Sequence, residues 1–257
     1  RRRCSGTSAG DEERTGEERM KVKDTKFTFK RYEKKYLLTA AQYERIRARL
    51  DAYIEPDEFF SSTVCSLYYD TGDFELIRRS IDAPVYKEKL RVRAYNVPAP
   101  NGTVFVELKM KFKGVVYKRR VMMAADTAMR YLAGEIPAPD DSQMLQEIDW
   151  FLRMNNVRPR VFIACDREAY RAKDDGELRI TFDRSIRWRD TELDLTLGDH
   201  GEELLDAGQV LMEIKIPEAA PLWLAHMLSE DGLFPQGFSK YGTCYKTNLI
   251  KGVILNV

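Results

Sequence analysis

Five short runs of this chain alternate charged and aliphatic residues, and that alternation restricts the possible folds more than any other feature. They are Arg31–Lys35, Lys87–Arg93, Glu107–Lys111, Leu178–Asp183 and Met212–Ile216. Side chains of a strand point alternately to its two faces, so Lys87, Lys89, Arg91 and Arg93 share one side while Leu90 and Val92 share the other. The four cations span roughly 20 Å of strand. A charged and apolar alternation is ordinarily a half-solvated sheet with its charges in water. Lys and Glu are poor strand formers, however, and five such strands recur in a chain that has helices to cover the apolar face. A sheet covered outside and charged inside must enclose a counter-charge, because buried like charges are too costly alone. A polyphosphate is the natural candidate. Guanidinium groups grip phosphate oxygens in pairs and ammonium groups act as mobile point charges.

The positive field has to be local. The 257 residues carry 42 Lys and Arg against 41 Asp and Glu, a formal net charge of +1. That balance, the acids interspersed on the same strands, and the lack of a zinc-finger or RNA-binding aromatic motif argue against a nucleic-acid partner. Cys4, Cys65, Cys165 and Cys244 are widely spaced, with only His200 and His226 as imidazoles, so neither a zinc site nor a disulfide framework is indicated. Free thiols, no run of about 20 apolar residues and no signal-peptide core predict a cytoplasmic protein without a membrane segment.

Residues 1–25 are rich in Gly, Ser, Thr, Arg and Glu and read as a disordered leader, with Met20 as a possible natural start. A single domain is expected over 26–257. Its first strand spans Lys26–Glu33. Thr39 and Gln42 have capping-box spacing ahead of a helix at 40–53. A strand at Thr63–Asp70 and a short helix at Phe74–Ile81 follow. Strands at 84–96 and 103–112 flank a Pro- and Gly-containing hairpin loop, and Gly114 turns the chain into Val115–Met123. Helices at Asp126–Leu132 and Ser142–Met154 precede strands at 160–170, 177–184 and 209–216. The stretch 188–208 reads as loop or irregular strand, Ala220–Ser229 as a helix, and Phe238–Lys246 as a polar terminal segment. No internal repeat is present. The fold class is α+β with a largely antiparallel sheet, and closure into a barrel is a further step.

The acids Glu33, Glu107, Asp183 and Glu213 lie within the charged strands near cations, either balancing charge or holding Mg2+ or Mn2+, hard ions that prefer carboxylate and phosphate oxygens. Glu213 is the first choice of ligand. Nothing resembles a Ser-His-Asp or Cys-His arrangement.

In order, Arg31–Tyr36, Tyr69–Thr71, Tyr86–Arg93, Val106–Lys109, Asp166–Tyr170, Leu178–Asp183, Met212–Lys215 and Phe238–Tyr241 resemble the VTC domain of the triphosphate tunnel metalloenzymes. The resemblance covers about residues 27–250 and is closest to the stand-alone prokaryotic members. It implies an eight-stranded antiparallel β-barrel forming a tunnel, with helices outside, and a metal-dependent polymerase that moves the γ-phosphate of ATP onto polyphosphate. Arg91, Arg93, Lys109, Arg179 and Lys240 would be catalytic. Lys35, Lys87, Lys89, Lys111, Arg167, Tyr170, Lys215 and Ser239 would bind substrate. Glu213, Glu33 and Glu107 would hold Mn2+ or Mg2+. ATP and polyphosphate are the implied partners, with any translocation left to a separate membrane partner. Arg31 stands where the superfamily's first strand often has an acid, which lowers the acid count and favours holding polyphosphate over triphosphate hydrolysis. A triphosphatase in the same tunnel and a non-catalytic polyphosphate sensor are the alternatives.

Overall fold

The structure, a computed structural model, describes residues 32–82, 85–113, 115–174, 177–217 and 219–250. The leader, Cys4, Met20 and the start of the first strand lie outside them. The chain runs β1 (Tyr32–Leu38), α1 (Ala40–Leu50), β2 (Ile54–Asp70), α2 (Glu75–Ile81), β3 (Tyr86–Tyr95), β4 (Thr103–Phe112) and β5 (Val115–Ala124). It continues with α3 (Ala125–Leu132), α4 (Gln143–Met154), β6 (Arg158–Ala172), β7 (Arg179–Arg189), β8 (Glu202–Glu203), β9 (Val210–Ile216), α5 (Leu222–Glu230) and α6 (Lys240–Cys244). The expected capping box forms at Thr39 and Gln42, although α1 ends at Leu50. Strand β2 begins nine residues before the expected Thr63, because the ladder to β6 resumes beyond an irregularity between Pro56 and Ser61. Strand β7 passes the expected end at residue 184 through a bulge, where Ser185 takes a positive φ of 43°.

One antiparallel sheet has the order β1-β9-β7-β6-β2-β3-β4-β5, with the two-residue β8 paired to β7. The expected closed eight-stranded barrel is therefore corrected to a nine-stranded sheet that is not closed. Among the described residues β1 and β5 are not paired with each other, and they are the two ends of the ladder. Bulges in β2 and β6 steepen the coiling of the sheet, and they bring side chains of β1 opposite those of β3 and β4 without backbone pairing. Glu33 of β1 feels Lys109 of β4, and Lys89 of β3 feels Lys35 of β1.

The period-two alternation sorts the two faces. Outside, Leu90, Val92, Val106 and Leu108 pack beneath α3 and α4 through Ala128, Leu145, Ile148 and Phe151. On the other half, Tyr36, Leu38, Ile180, Phe182, Met212 and Ile214 pack beneath α1 and α5. The inner face is divided. One end is filled by an apolar cluster of Val64, Ile163, Cys165, Leu211, Ile77, Tyr241 and Cys244, in which α2 and α6 act as a plug. The remainder carries the charged rows. Cys65, Cys165 and Cys244 are buried free thiols. No helix among the described residues is long and apolar enough to cross a membrane.

Candidate active site

The register sets two cationic strands against each other. Lys87 faces Lys111, Lys89 faces Lys109 and Arg91 faces Glu107 across β3 and β4. Strand β5 extends the row, with Lys118 opposite Lys109 and Arg120 opposite Glu107. Glu107 is only 1 % exposed and lies at the centre of a cation cluster. Arg91 Nε donates to its Oε2 at 2.7 Å, while Arg120 Nε at 2.6 Å and Lys118 Nζ at 2.7 Å reach Oε1. Burial raises the pKa of this carboxyl, but Arg91, Arg93 and Lys118 outweigh it and hold the group well below the ordinary carboxylate range. Arg91 also donates to the Tyr68 hydroxyl at 3.3 Å, and Arg93 donates to Ser66 Oγ at 3.3 Å.

A second cluster comes from β1, β6, β7, β9 and α6. Arg167 grips Asp183 through two bonds of 2.6 and 2.7 Å, the fork geometry that suits guanidinium to carboxylate. Lys240, at the start of α6, pairs with the same carboxylate and lies 3.9 Å from Glu213. Lys35 bridges Glu33 at 3.1 Å and Glu213 at 3.3 Å, and its ammonium donates to the Phe238 carbonyl at 3.1 Å. Burial pushes Glu213 up, yet Lys240 and Lys35, joined by Arg167, bring its pKa down to about 2.

The lysine end has fewer counter-charges. Lys89 donates to Ser239 Oγ at 3.3 Å; burial first, then Lys87, Lys109 and Lys35, lower its pKa to about 8. Burial is also the first cause lowering Lys87, Lys109 and Lys215. A site that disfavours its own cations stores a field that a bound polyanion relieves. A fully solvated charged face would not lower these lysines, so the inner face is shielded from water in part, most of all at Lys89.

Most sequence-selected residues converge here: Lys35, Lys87, Lys89, Arg91, Arg93, Lys109, Lys111, Arg167, Lys215, Ser239, Lys240, Glu33, Glu107 and Glu213 share the inner face or the α6 cap. Arg179 faces the same way by register with Lys215, but it lies half exposed at the rim and pairs with Asp57 at 3.3 Å. Tyr170 is the exception and is corrected. It points to the outer face beneath α1, where Arg47 stacks 4.4 Å from its ring and donates to its hydroxyl. Arg167 and Tyr170 are three residues apart on one strand, so period two puts them on opposite faces.

The sequence matches the VTC domain over residues 30–249. The chain belongs to the VTC domain family. No curated protein sequence matches it closely enough to count as a relative. Among solved structures, a candidate adenylate cyclase from Bacillus halodurans superposes with a TM-score of 0.52 at 14 % identity, covering 80 % of this chain and 92 % of that one. A candidate adenylyl cyclase from Hippeastrum, described as having a dominant triphosphatase activity, gives a TM-score of 0.48 at 16 % identity over 84 % and 94 % of the two chains. At that identity the superposition on the Bacillus halodurans protein shows a shared fold.

Tunnel domains of this kind are generally dependent on a divalent cation. Among the described residues of this VTC domain, no three Asp, Glu, His or Cys side chains lie close enough to hold one unaided. Glu33 and Glu213 share Lys35, so two carboxylates converge at one point of the inner face. That donor set fits an ion such as Mg2+ or Mn2+, which takes one or two carboxylates and completes its shell with water and substrate phosphates. Glu107 belongs to the other cluster, its oxygens occupied by Arg91, Arg120 and Lys118. Tyr68, Lys118 and Arg120 were missed. The signal for the two cations was the spacing of Lys118 and Arg120 on β5; Tyr68, in an apolar run, offered none.

Proposed function

We propose that this VTC domain is a metal-dependent polyphosphate polymerase that transfers the γ-phosphate of ATP onto the end of a growing polyphosphate chain. Family membership supports an activity on triphosphates or polyphosphate. The observation that carries the finer reading is the extension of the cationic rows past the carboxylate clusters. The rungs Lys89–Lys109 and Lys87–Lys111 have no acid on either strand. A hydrolase needs only to hold one triphosphate, whereas a row of this length suits a longer anionic chain.

In this reading Arg91, Arg93 and Lys240 hold the reacting phosphates of ATP, with Lys35 and Lys215 beside them. Lys87, Lys89, Lys109 and Lys111 line the path of the chain, and Ser239 orients Lys89. Glu213 and Glu33 would hold the divalent cation, which when bound neutralises charge on phosphate oxygens. A terminal phosphate oxygen of the chain attacks the γ-phosphorus, a new P–O–P bond forms, the bond from that phosphorus to the β,γ-bridging oxygen breaks, and ADP leaves. The attacking oxygen is largely deprotonated at neutral pH, since a phosphate's second pKa is about 6. The residues therefore contribute position and charge neutralisation rather than proton abstraction.

Purified protein incubated with ATP and Mn2+ or Mg2+, its products resolved on a polyacrylamide gel, tests the reading. Ladders of chains that vanish in Arg91→Ala and in Glu213→Ala are expected. Orthophosphate as the sole product would replace the polymerase with a triphosphatase. Tight triphosphate binding without turnover would make the protein a sensor.

A further inference from the structure

Strands β3, β4 and β5 reach beyond the helices that cover them. Helices α3 and α4 shield the outer face over Leu90, Val92, Val106 and Leu108. The last rungs, Tyr86–Phe112–Val115 and Lys87–Lys111–Val116, lie past that cover. Val85 is 62 % exposed, and Tyr86, Phe112, Val115, Val116 and Tyr117 are each close to half exposed. Tyr86, Phe112, Val115 and Tyr117 belong to the outer face by register, so the tip is apolar on that side, while on the inner face Val116 shares its rung with Lys87 and Lys111. A soluble monomer rarely leaves such a contiguous patch without a partner.

The charges around the tip select the partner. Lys87 and Lys111 stand immediately behind it, and Lys113 caps the β4–β5 turn with its ammonium 5.4 Å from the Phe112 ring. Lys118 follows two rungs behind Val116. The nearby acid on these strands, Glu88, accepts the Tyr86 hydroxyl. A second copy docked tip to tip would bring these lysines together, which opposes self-association. Aromatic and aliphatic side chains at the extremity with lysines just behind them match the layers of an anionic bilayer, where apolar groups enter the acyl boundary and ammonium groups meet headgroup phosphates.

We infer that the β4–β5 tip docks on an anionic membrane surface, setting the lysine end of the tunnel against the bilayer. This rests on the exposed tip and not on the polymerase reading. The test is flotation of the full chain with vesicles of phosphatidylcholine and phosphatidylglycerol at 7:3, beside phosphatidylcholine alone. Binding to the anionic vesicles is expected, weakened by raised salt because exposed charges are screened within about 8 Å at physiological ionic strength. The double variant Val115→Asp, Tyr117→Asp should lose at least tenfold in vesicle affinity, and Lys113→Glu should lose part of it. Both should keep the wild-type melting temperature and circular dichroism spectrum, which separates loss of this surface from loss of the fold. Failure of the wild type to bind, or binding unchanged in the double variant, would overturn the inference. So would a wild-type dimer in sedimentation that the double variant abolishes, since the tip would then join copies of the chain.

Discussion

Lys89 is the residue whose ionisation reports most directly on the tunnel. Its pKa, lowered to about 8 by burial and then by its cationic neighbours, must rise again when a polyanion enters. Above pH 8, triphosphate binding should therefore take up a proton, visible as a calorimetric heat that changes with the ionisation enthalpy of the buffer. Affinity should fall as pH rises through 8, and Lys89→Arg should remove both effects. The carboxylates work in the opposite sense. Glu213, lowered to about 2 from an ordinary value near 4.3, contributes stability that is fully present above that ordinary value and is lost as pH falls toward 2. Glu107 is lowered in the same direction and is shared by three cations. Glu107→Gln should cost about 3 kcal/mol at pH 7, the order expected when one member of a buried ion cluster is removed. Urea unfolding should show this difference shrinking as pH is lowered below 4. The charged rows were legible in the sequence because alternation is a local rule. Tyr170 obeys the same rule, and counting its parity against Arg167 places it outside.

At the scale of elements, α6 carries the functional surprise. Lys240–Cys244 form a helix that runs on into a π-helical segment at Tyr245–Leu249, where the sequence offered only a polar segment. Even with that extension the segment is shorter than an isolated helix needs to be stable in water. It is held by the Tyr241 hydroxyl donating to Asp70 at 2.8 Å and by the Tyr241 ring stacking on Tyr68 at 4.8 Å. Asp70 is fully buried and also accepts the backbone N–H groups of Leu76 and Ile77, so one carboxylate joins β2, α2 and α6. This latch fixes Lys240 against Asp183. Tyr241→Phe keeps the stacking and removes one hydrogen bond to a buried carboxylate, so a loss of about 2 kcal/mol is expected. If the latch positions Lys240, kcat should drop while the circular dichroism spectrum stays unchanged. Unaltered kcat in that variant would reduce Tyr241 to a packing role.

At the scale of the whole molecule, the inner surface gathers far more cations than carboxylates and is stabilised by whatever neutralises it. Tripolyphosphate at a hundred times its dissociation constant should add about 2.7 kcal/mol. That corresponds to a rise in melting temperature of several degrees for a chain of this size. Because the effect is electrostatic, raising the salt at fixed ligand should shrink it. Scanning calorimetry at two ionic strengths checks both statements, and a ligand-independent melting point would contradict the picture of an electrostatically strained tunnel.

Which faces are charged and which apolar, most of the strands and helices, and the family could be read from the residues alone, because each follows from short-range periodicity, turn chemistry or an ordered set of motifs. Which cations meet which acids depended on how the strands came together in space. Glu107 went to Arg91, Arg120 and Lys118, and Glu213 to Lys35 and Lys240, because register across β1, β9, β4 and β5 sets those distances. The open ladder between β1 and β5 was also beyond local pattern, since coiling accumulates over many strands and bulges. Side chains could therefore meet across the tunnel while the backbone edges stayed unpaired.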